Sequence, residues 1–376
     1  TRCSDDLLWL VWALCEYVEA TGEEELCFIE EPYLSSPPLK DEEHDRYERP
    51  EKSAKSAAVL EHARAALECC IHRGFGKHGL PYTGSGDWND ALDRVGGESV
   101  WLGWFFAYCA ARFAELLERL GADGAAHYRQ YAAEAGSAAD AAFNGKWYLR
   151  ALYADGEALG GGERIDSVAQ SWAVLSGFGS ETRAASAMDS ALFRLWDREH
   201  RLIRLLDPPY SDRESSPGYI TGYGEGFREN GGQYTHGAIW LAIAALRLGR
   251  SAEGTAMLET LLPETHEERI YQAEPFVLPA DISTARGHEG LAGWTWYTGA
   301  AAWIYKCVLE DVLGFKKSGD TLKIEPCTEF DEYEIEYRYG GAKYCITVKK
   351  GAPRGYADGI RLADDGKEHT IVLYRE

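Results

Sequence analysis

Asp5–Gly22 reads DDLLWLVWALCEYVEATG, and the placing of this run decides the fold. It is apolar almost all the way round a helical projection until Glu16. A helix without a polar face belongs to an interior layer, because every side of it must be covered. Asp5 and Asp6 at its front suit an N-cap and the positive end of the helix dipole, and Gly22 suits its stop. The segment 53–72 behaves differently. Ala57, Leu60, Ala63, Leu67 and Ile71 form one stripe at helical spacing with Glu, Arg and Lys elsewhere, which predicts an outer-layer helix. Further helices are expected over about 98–119, 123–142, 166–177, 180–195, 236–249, 252–262 and 295–313. Interior and surface helices alternating over roughly 300 residues predict a toroid of paired helices, with spacing too irregular for a short solenoid repeat. After Gly314 the pattern changes. TLKIEPC, YEIEYRY, KYCITVKK and HTIVLYRE alternate apolar and polar residues between turn residues. A helical domain over 1–314 and a small antiparallel β domain over 315–376 are therefore expected, the second as a structural cap on the first.

Composition narrows the function classes. The net charge of −22 on 376 residues argues against nucleic acid and anionic membrane as partners, since both repel an acidic surface. It leaves room for a small anion in a locally positive pocket. Twelve Trp and 22 Tyr suit a sugar-binding cleft, although large helical cores use them as well. The nine cysteines (Cys3, Cys15, Cys27, Cys69, Cys70, Cys109, Cys307, Cys327 and Cys345) are odd in number and lack C-x-x-C spacing. They read as reduced core residues of a cytoplasmic protein, not a disulfide frame or zinc site. No charge-free apolar run of about 18 residues is present, so no membrane-spanning segment is expected. No signal peptide is visible, and a start at Thr1 without Met reads as a piece whose leading segment is missing.

Long loops at 31–50, 74–90, 144–165, 207–235 and 272–294 separate the helices, and 207–235 exceeds ordinary connector length, a mark of a binding loop. GFGKHG (Gly74–Gly79) matches a dinucleotide fingerprint but follows a helix instead of a strand, so it fails its context. His62, His72, His78 and His127 read as surface or core residues, and neither a metal site nor a cofactor is expected. Four loop clusters remain: Arg2–Asp6, Gly86–Asp90, Arg228–His236 and Trp294–Gly299. Breaking a glycosidic bond requires a protonated carboxyl beside the leaving oxygen, and Asp90 beside Trp88 offers one on an aromatic floor. Asp87 and Asn89 suit sugar hydroxyls. A helix cap explains Asp87 or Asp90 equally well, and the residues alone leave both readings open. His236, Thr298 and Gly299 combine an imidazole, a hydroxyl and backbone N–H groups, the ingredients of an anion cradle. Taken singly, close helix packing and a satisfied core histidine account for them.

Together the clusters resemble the inverting glycoside phosphorylases of the cellobiose and chitobiose phosphorylase family. GSGDWNDALDRVGGESVWLGWF (Gly84–Phe105) is similar to that family's most specific motif, and RENGGQYTHGAIW (Arg228–Trp240) is nearly as specific. RIDSVAQSWAVLSG, YQAEPFVLPADI and LAGWTWYTGAAAW resemble one branch of it, the phosphorylase-like C-terminal region of cyclic β-1,2-glucan synthases together with 1,2-β-oligoglucan phosphorylases. The likeness runs over almost the whole chain.

It implies an (α/α)6 barrel with its cleft at one end, and leaves open whether the barrel is incomplete at its N-terminus here. It also implies that phosphate attacks the anomeric carbon with inversion, releasing α-glucose 1-phosphate. By motif, Asp90 is the general acid. Arg2, Asp5, Asp6, Asp87, Trp88, Glu229 and Gln233 fall in substrate-binding positions, and His236, Thr298 and Gly299 in phosphate-holding ones. Phosphate replaces the second carboxylate that an inverting hydrolase needs about 6.5–9.5 Å from its acid. The family's N-terminal β-sandwich and linker helix are missing from the chain, and with them the part that supports a homodimer. Pro279 stands where disaccharide-specific relatives carry a polar residue, which weighs against cellobiose. The leading reading is a phosphorylase of β-1,2-gluco-oligosaccharides. Beside it stand a cellobiose, laminaribiose or chitobiose phosphorylase and a non-catalytic glucan-binding module of a larger synthase.

Overall fold

Apolar character on all sides marks Val100–Arg119 and Thr235–Arg247 as interior helices, but the run Asp5–Gly22 is not covered all round: Asp6, Leu10, Ala13 and Tyr17 lie exposed along one side. The computed structural model describes residues 2–40, 43, 45–211, 217–296, 298–351 and 359–375. Its α-helices are α1 Asp6–Thr21, α2 Val59–Arg73, α3 Val100–Arg119, α4 Ala125–Ala141 and α5 Ser167–Leu175. They continue with α6 Glu181–Arg194, α7 Thr235–Arg247, α8 Ser251–Thr260, α9 Glu268–Tyr271 and α10 Ala300–Lys306, which runs into a π-helical turn at Cys307–Val312. α3, α5 and α7 are buried over most of their length, whereas α6 buries only Ala184, Ala187, Met188 and Ala191.

Neighbours alternate as the pattern requires. α1 packs on α2 and α3, α3 on α4 and α5, α5 on α6 and α7, and α7 on α8 and α10. α10 then returns to α1, with Trp303 5.5 Å from Trp12 and Lys306 Nζ 3.0 Å from the Glu16 carboxylate. Among the described residues this is a ring of five inner helices (α1, α3, α5, α7, α10) carrying four outer ones (α2, α4, α6, α8). The bore is filled. Trp240 of α7 meets one indole from each other inner helix: Trp9 at 6.4 Å, Trp101 at 6.4 Å, Trp172 at 5.3 Å and Trp303 at 5.5 Å. α3 alone among the described helices has the length and apolarity to cross a membrane, and it spends that apolarity inside the ring.

Several expectations are corrected. The outer helix begins at Val59, not residue 53, because Glu51–Ala58 is a strand paired antiparallel with Glu30–Ser35 inside an expected loop. Residues 51–58 are Ala, Ser and Lys with one Glu, so no stripe local to them separated helix from extended chain. Gly22 stops α1 in the left-handed region at φ +77°, but the Asp5 side chain does not cap that helix. The last helix starts at Ala300 instead of 295, since Trp296 holds φ +65°. Cys15, Cys27, Cys70, Cys109 and Cys307 are buried, while Cys3, Cys69, Cys327 and Cys345 are half-buried.

The C-terminal module is mixed, not purely antiparallel. Phe315–Ser318 pairs with Thr321–Ile324, and Glu332–Tyr339 with Ala342–Lys350, both antiparallel. Ala342–Lys350 pairs in parallel with Glu368–Arg375, because the intervening chain crosses to the other sheet at Ile360–Arg361 before returning. Leu322, Ile324, Tyr344, Ile346 and Val348 form its own core. Gly319 N donates to Glu19 O at 2.8 Å, fastening the module to the end of α1.

Candidate active site

The loop before α3 is built around a buried carboxylate. Asp87 Oδ2 accepts from Ser99 Oγ and from Arg150 Nη1, each at 2.7 Å, while Oδ1 accepts from Arg150 Nη2 at 2.5 Å and Asn89 N at 3.0 Å. Arg150 Nε stands 3.4 Å from Asp166 Oδ2, and Asp166 Oδ1 caps α5 through Val168 N. One guanidinium thus faces two carboxylates in the interior. Burial pushes Asp166 up to about 6, against the pull of Arg150. The oxygens of Asp87 are spent on this network, not turned to a substrate. The cap is Asn89, whose Oδ1 accepts from Ala91 N at 3.2 Å and opens a 3-10 turn over Asp90–Leu92. Gly86 is required there: at φ +119° a Cβ would meet Asp90 Cα at 3.0 Å.

Asp90 is left exposed at the start of that turn, hydrogen-bonded by the Tyr219 phenol. The long loop is folded onto it, since Arg94 N donates to Pro217 O and Tyr219 N to Asp93 Oδ1, both at 2.9 Å. The first cluster is sewn to the same loop from the other side. Ser4 N and Oγ donate to Gly86 O at 2.9 and 3.0 Å, and Ser85 N donates to Arg2 O. Asp5 is buried and accepts from Trp9 Nε1 at 2.9 Å; burial first, then the charge of Asp87, pushes it up to about 7. Asp6 is exposed in the first turn of α1, and the Arg2 guanidinium donates to Lys40 O at 2.7 Å. Of the two carboxylates in this cluster, Asp5 is the one on which the charge of Asp87 acts.

The third and fourth clusters meet in a pocket of about 470 Å³ lined by Arg228, Tyr234, His236, Ala280, Trp294, Thr298 and Gly299. Trp88 joins it to the Asp90 loop, lying 5.3 Å from Tyr234 and 5.5 Å from His236. Trp88 Nε1–H donates to His236 Nδ1 at 3.4 Å, which assigns the ring proton to Nε2. Burial pushes His236 down to about 3, so the imidazole is neutral, and Nε2–H has no partner among the described residues. A Cβ on Gly299 would stand 3.8 Å from His236 Cε1. Thr298 Oγ1 accepts from Ala300 N at 3.0 Å, which leaves its own proton free to donate. Glu229 is buried against Arg228, whose Nε and Nη2 approach it at 3.3 and 3.4 Å. Gln233 faces inward, its Oε1 taken by Ile203 N at 2.8 Å. Asp90 and Glu229 both act on the Tyr234 phenol, which burial chiefly pushes up to about 12.

Sequence reasoning singled out neither Arg150 nor Arg228, Tyr219, Asp281 or Trp294. Arg228 was inside a quoted cluster but passed over for Glu229; it is one of the two arginines in the sequence 207–235. Asp281 is buried, pushed up by burial and held 3.9 Å from Arg228 Nη1. Arg150 had no local signal.

Comparison with known proteins fits this arrangement. Residues 1–314 match the glycosyl hydrolase 94 superfamily, catalytic domain. The chain is 38% identical over 372 residues to the cyclic beta-(1,2)-glucan synthase NdvB of Rhizobium meliloti (strain 1021), covering 94% of this chain and 13% of that protein. It is 29% identical over 373 residues to the N,N'-diacetylchitobiose phosphorylase of Vibrio proteolyticus, covering 96% of this chain and 44% of the relative. The chain therefore spans less than half the length of either. A crystal structure of a rhamnosidase of Bacillus sp. GL1 shares the fold, with a TM-score of 0.59 at 15% identity over 99% of this chain and 34% of that one.

Proposed function

This chain belongs to the glycosyl hydrolase 94 superfamily, and from that membership we propose that it splits β-glucosidic bonds with phosphate, inverting the anomeric carbon. The observation that carries the reading is the pocket, where the His236 ring, the Thr298 side chain and the Arg228 cation line one space joined to Asp90 through Trp88. Phosphate held there attacks C1 while Asp90 protonates the leaving oxygen. The C1–O bond to the departing sugar breaks, a C1–O bond to phosphorus forms, and α-glucose 1-phosphate and a glucan shorter by one unit leave. Gly299 admits the anion close to its backbone. Trp88, Glu229, Asp5, Asp6, Arg2 and Gln233 serve the sugar subsites, while Asp87, tied to Arg150, positions the loop that carries Asp90.

A β-1,2-linked gluco-oligosaccharide is the substrate we favour, on the strength of the 38% identity to a cyclic beta-(1,2)-glucan synthase. The five-plus-four ring supports a toroid of the (α/α)6 type, and reduced cysteines support a cytoplasmic setting. A second reading, a glucan-binding module within a larger synthase, draws on the chain's matching only 13% of that relative. The test is incubation with sophoro-oligosaccharides, cellobiose and chitobiose, with and without phosphate. Phosphate-dependent glucose 1-phosphate, lost by about 10²–10⁴-fold in Asp90→Asn, is expected. Free glucose released without phosphate overturns the reading in favour of a hydrolase; binding without any release favours the module.

A further inference from the structure

Of the twelve tryptophans, ten are buried or half-buried, and Trp294 and Trp296 are 61% and 71% exposed. Trp294 lines the pocket, and Trp296 follows it by two residues. Both have left-handed backbone, at φ +53° and +65°. A non-glycine residue holds that conformation at a steric cost, which persists where the surroundings enforce it and clusters at ligand clamps. Here they do enforce it. Ala280 N donates to Trp294 O at 3.1 Å, Ala292–Gly293 pairs with Asp281–Ile282, and Trp296 Nε1 donates to Glu274 Oε1 at 2.9 Å. Phe276, 74% exposed, lies edge-on to Trp296 at 6.3 Å. The Arg228 guanidinium is 5.1 Å from the Trp294 ring and 5.6 Å from that of Tyr223, which in turn meets Tyr219, the residue bonded to Asp90.

We propose that Trp294, Trp296 and Phe276 form a stacking shelf for sugar rings beyond the scissile bond, so that the site takes oligosaccharides of three or more units in preference to disaccharides. The occupant follows from what surrounds the rings. The shelf starts in the pocket at Trp294, and Trp296, two residues on, carries it outward to Phe276. Its apolar faces suit the C–H faces of pyranose rings, and Arg228 and Glu274 stand at its edges to meet hydroxyls. Burying such rings against water explains a strained, exposed aromatic set better than packing does, because packing would have turned the indoles inward. Naming this side the acceptor side rests on the phosphorylase reading; the existence of the shelf does not.

The test is calorimetric titration of the full chain with glucose and with the sophoro- and cello-oligosaccharides of two to four units, repeated on Trp296→Ala and Phe276→Ala. Affinity is expected to rise about three- to tenfold from disaccharide to trisaccharide in one series, the scale of one aromatic contact. Each variant should lose that rise while binding the disaccharide as the parent does. Flat affinity with chain length in both series overturns the shelf. So do variants that bind all sugars like the parent but self-associate less in light scattering, which would make the rings a protein contact. Chain-length dependence retained without phosphate-dependent release would keep the shelf and remove the phosphorylase reading.

Discussion

Replacing Arg150 by Met tests the claim that Asp87 is a structural carboxylate. The Arg150 side chain is 4% exposed, and those of Asp87 and Asp166 are 1% and 3% exposed. Methionine keeps the bulk of the stem but removes the guanidinium that both carboxylates face. Two buried anions then stand together without a cation, and breaking a buried pair from one side costs about 3–5 kcal/mol. For a chain of this length the unfolding entropy is about 0.8 kcal/mol/K, so a single cooperative transition should fall by about 4–6 °C. Differential scanning calorimetry and urea unfolding at pH 7.5 (roughly neutral, well above an ordinary carboxylate) measure it. The control is the triple change Arg150→Met, Asp87→Asn, Asp166→Asn, which leaves no buried charge and should recover most of the loss. A single variant within about 1 kcal/mol of the parent would refute the reasoning, since that is the scale of a surface pair. A triple variant no better than the single one would refute it as well.

Two further outcomes follow from the other buried groups. Asp5 sits at about 7 in the fold, above its unfolded value, so its contribution to stability is complete below about pH 4 and lost as pH rises through 7. Asp5→Asn should therefore match the parent near pH 4 and exceed it at pH 8, and parallel stability–pH curves would contradict this. His236, held near 3 with its proton on Nε2, should show a neutral Nε2–H tautomer by nitrogen NMR of labelled histidine from pH 8 down to 5, whereas Trp88→Phe should let the two tautomers exchange; a midpoint near 6.5 in the parent would overturn that assignment.

The interior layer was legible where an apolar run is covered on all sides, as in α3 and α7; α1 keeps one exposed side at Asp6, Leu10, Ala13 and Tyr17, and α5 buries the polar Ser167, Gln170 and Ser171. The strand at Glu51–Ala58 was not, since its pairing partner lies at Glu30–Ser35 and its own residues are neutral between forms. Asp87 shows the limit most clearly. Its local setting offered cap or catalyst, and the structure made it neither, because Arg150 arrives from 63 residues away. His236, Thr298 and Gly299 offered the chemistry of an anion cradle, but that they meet was an expectation from family likeness, since nothing local joins residues 62 positions apart. The left-handed tryptophans left no trace in sequence, for nothing about an indole announces positive φ.

The indole that fills the bore also dates the assembly of the site. Trp240 is flanked by Trp303, and Lys306 reaches Glu16 across 290 residues of sequence, so the floor closes only when α10 docks. During synthesis the chain emerges from its N-terminus, and roughly 60 residues separate the two tryptophans, or about 3–12 s of elongation at 5–20 residues per second. Through that interval a nascent chain carries four of the five inner helices, with the aromatic side chains that meet α10 still uncovered. A chain stalled before Trp303 lacks the contacts of Trp303 and Lys306 that close the floor.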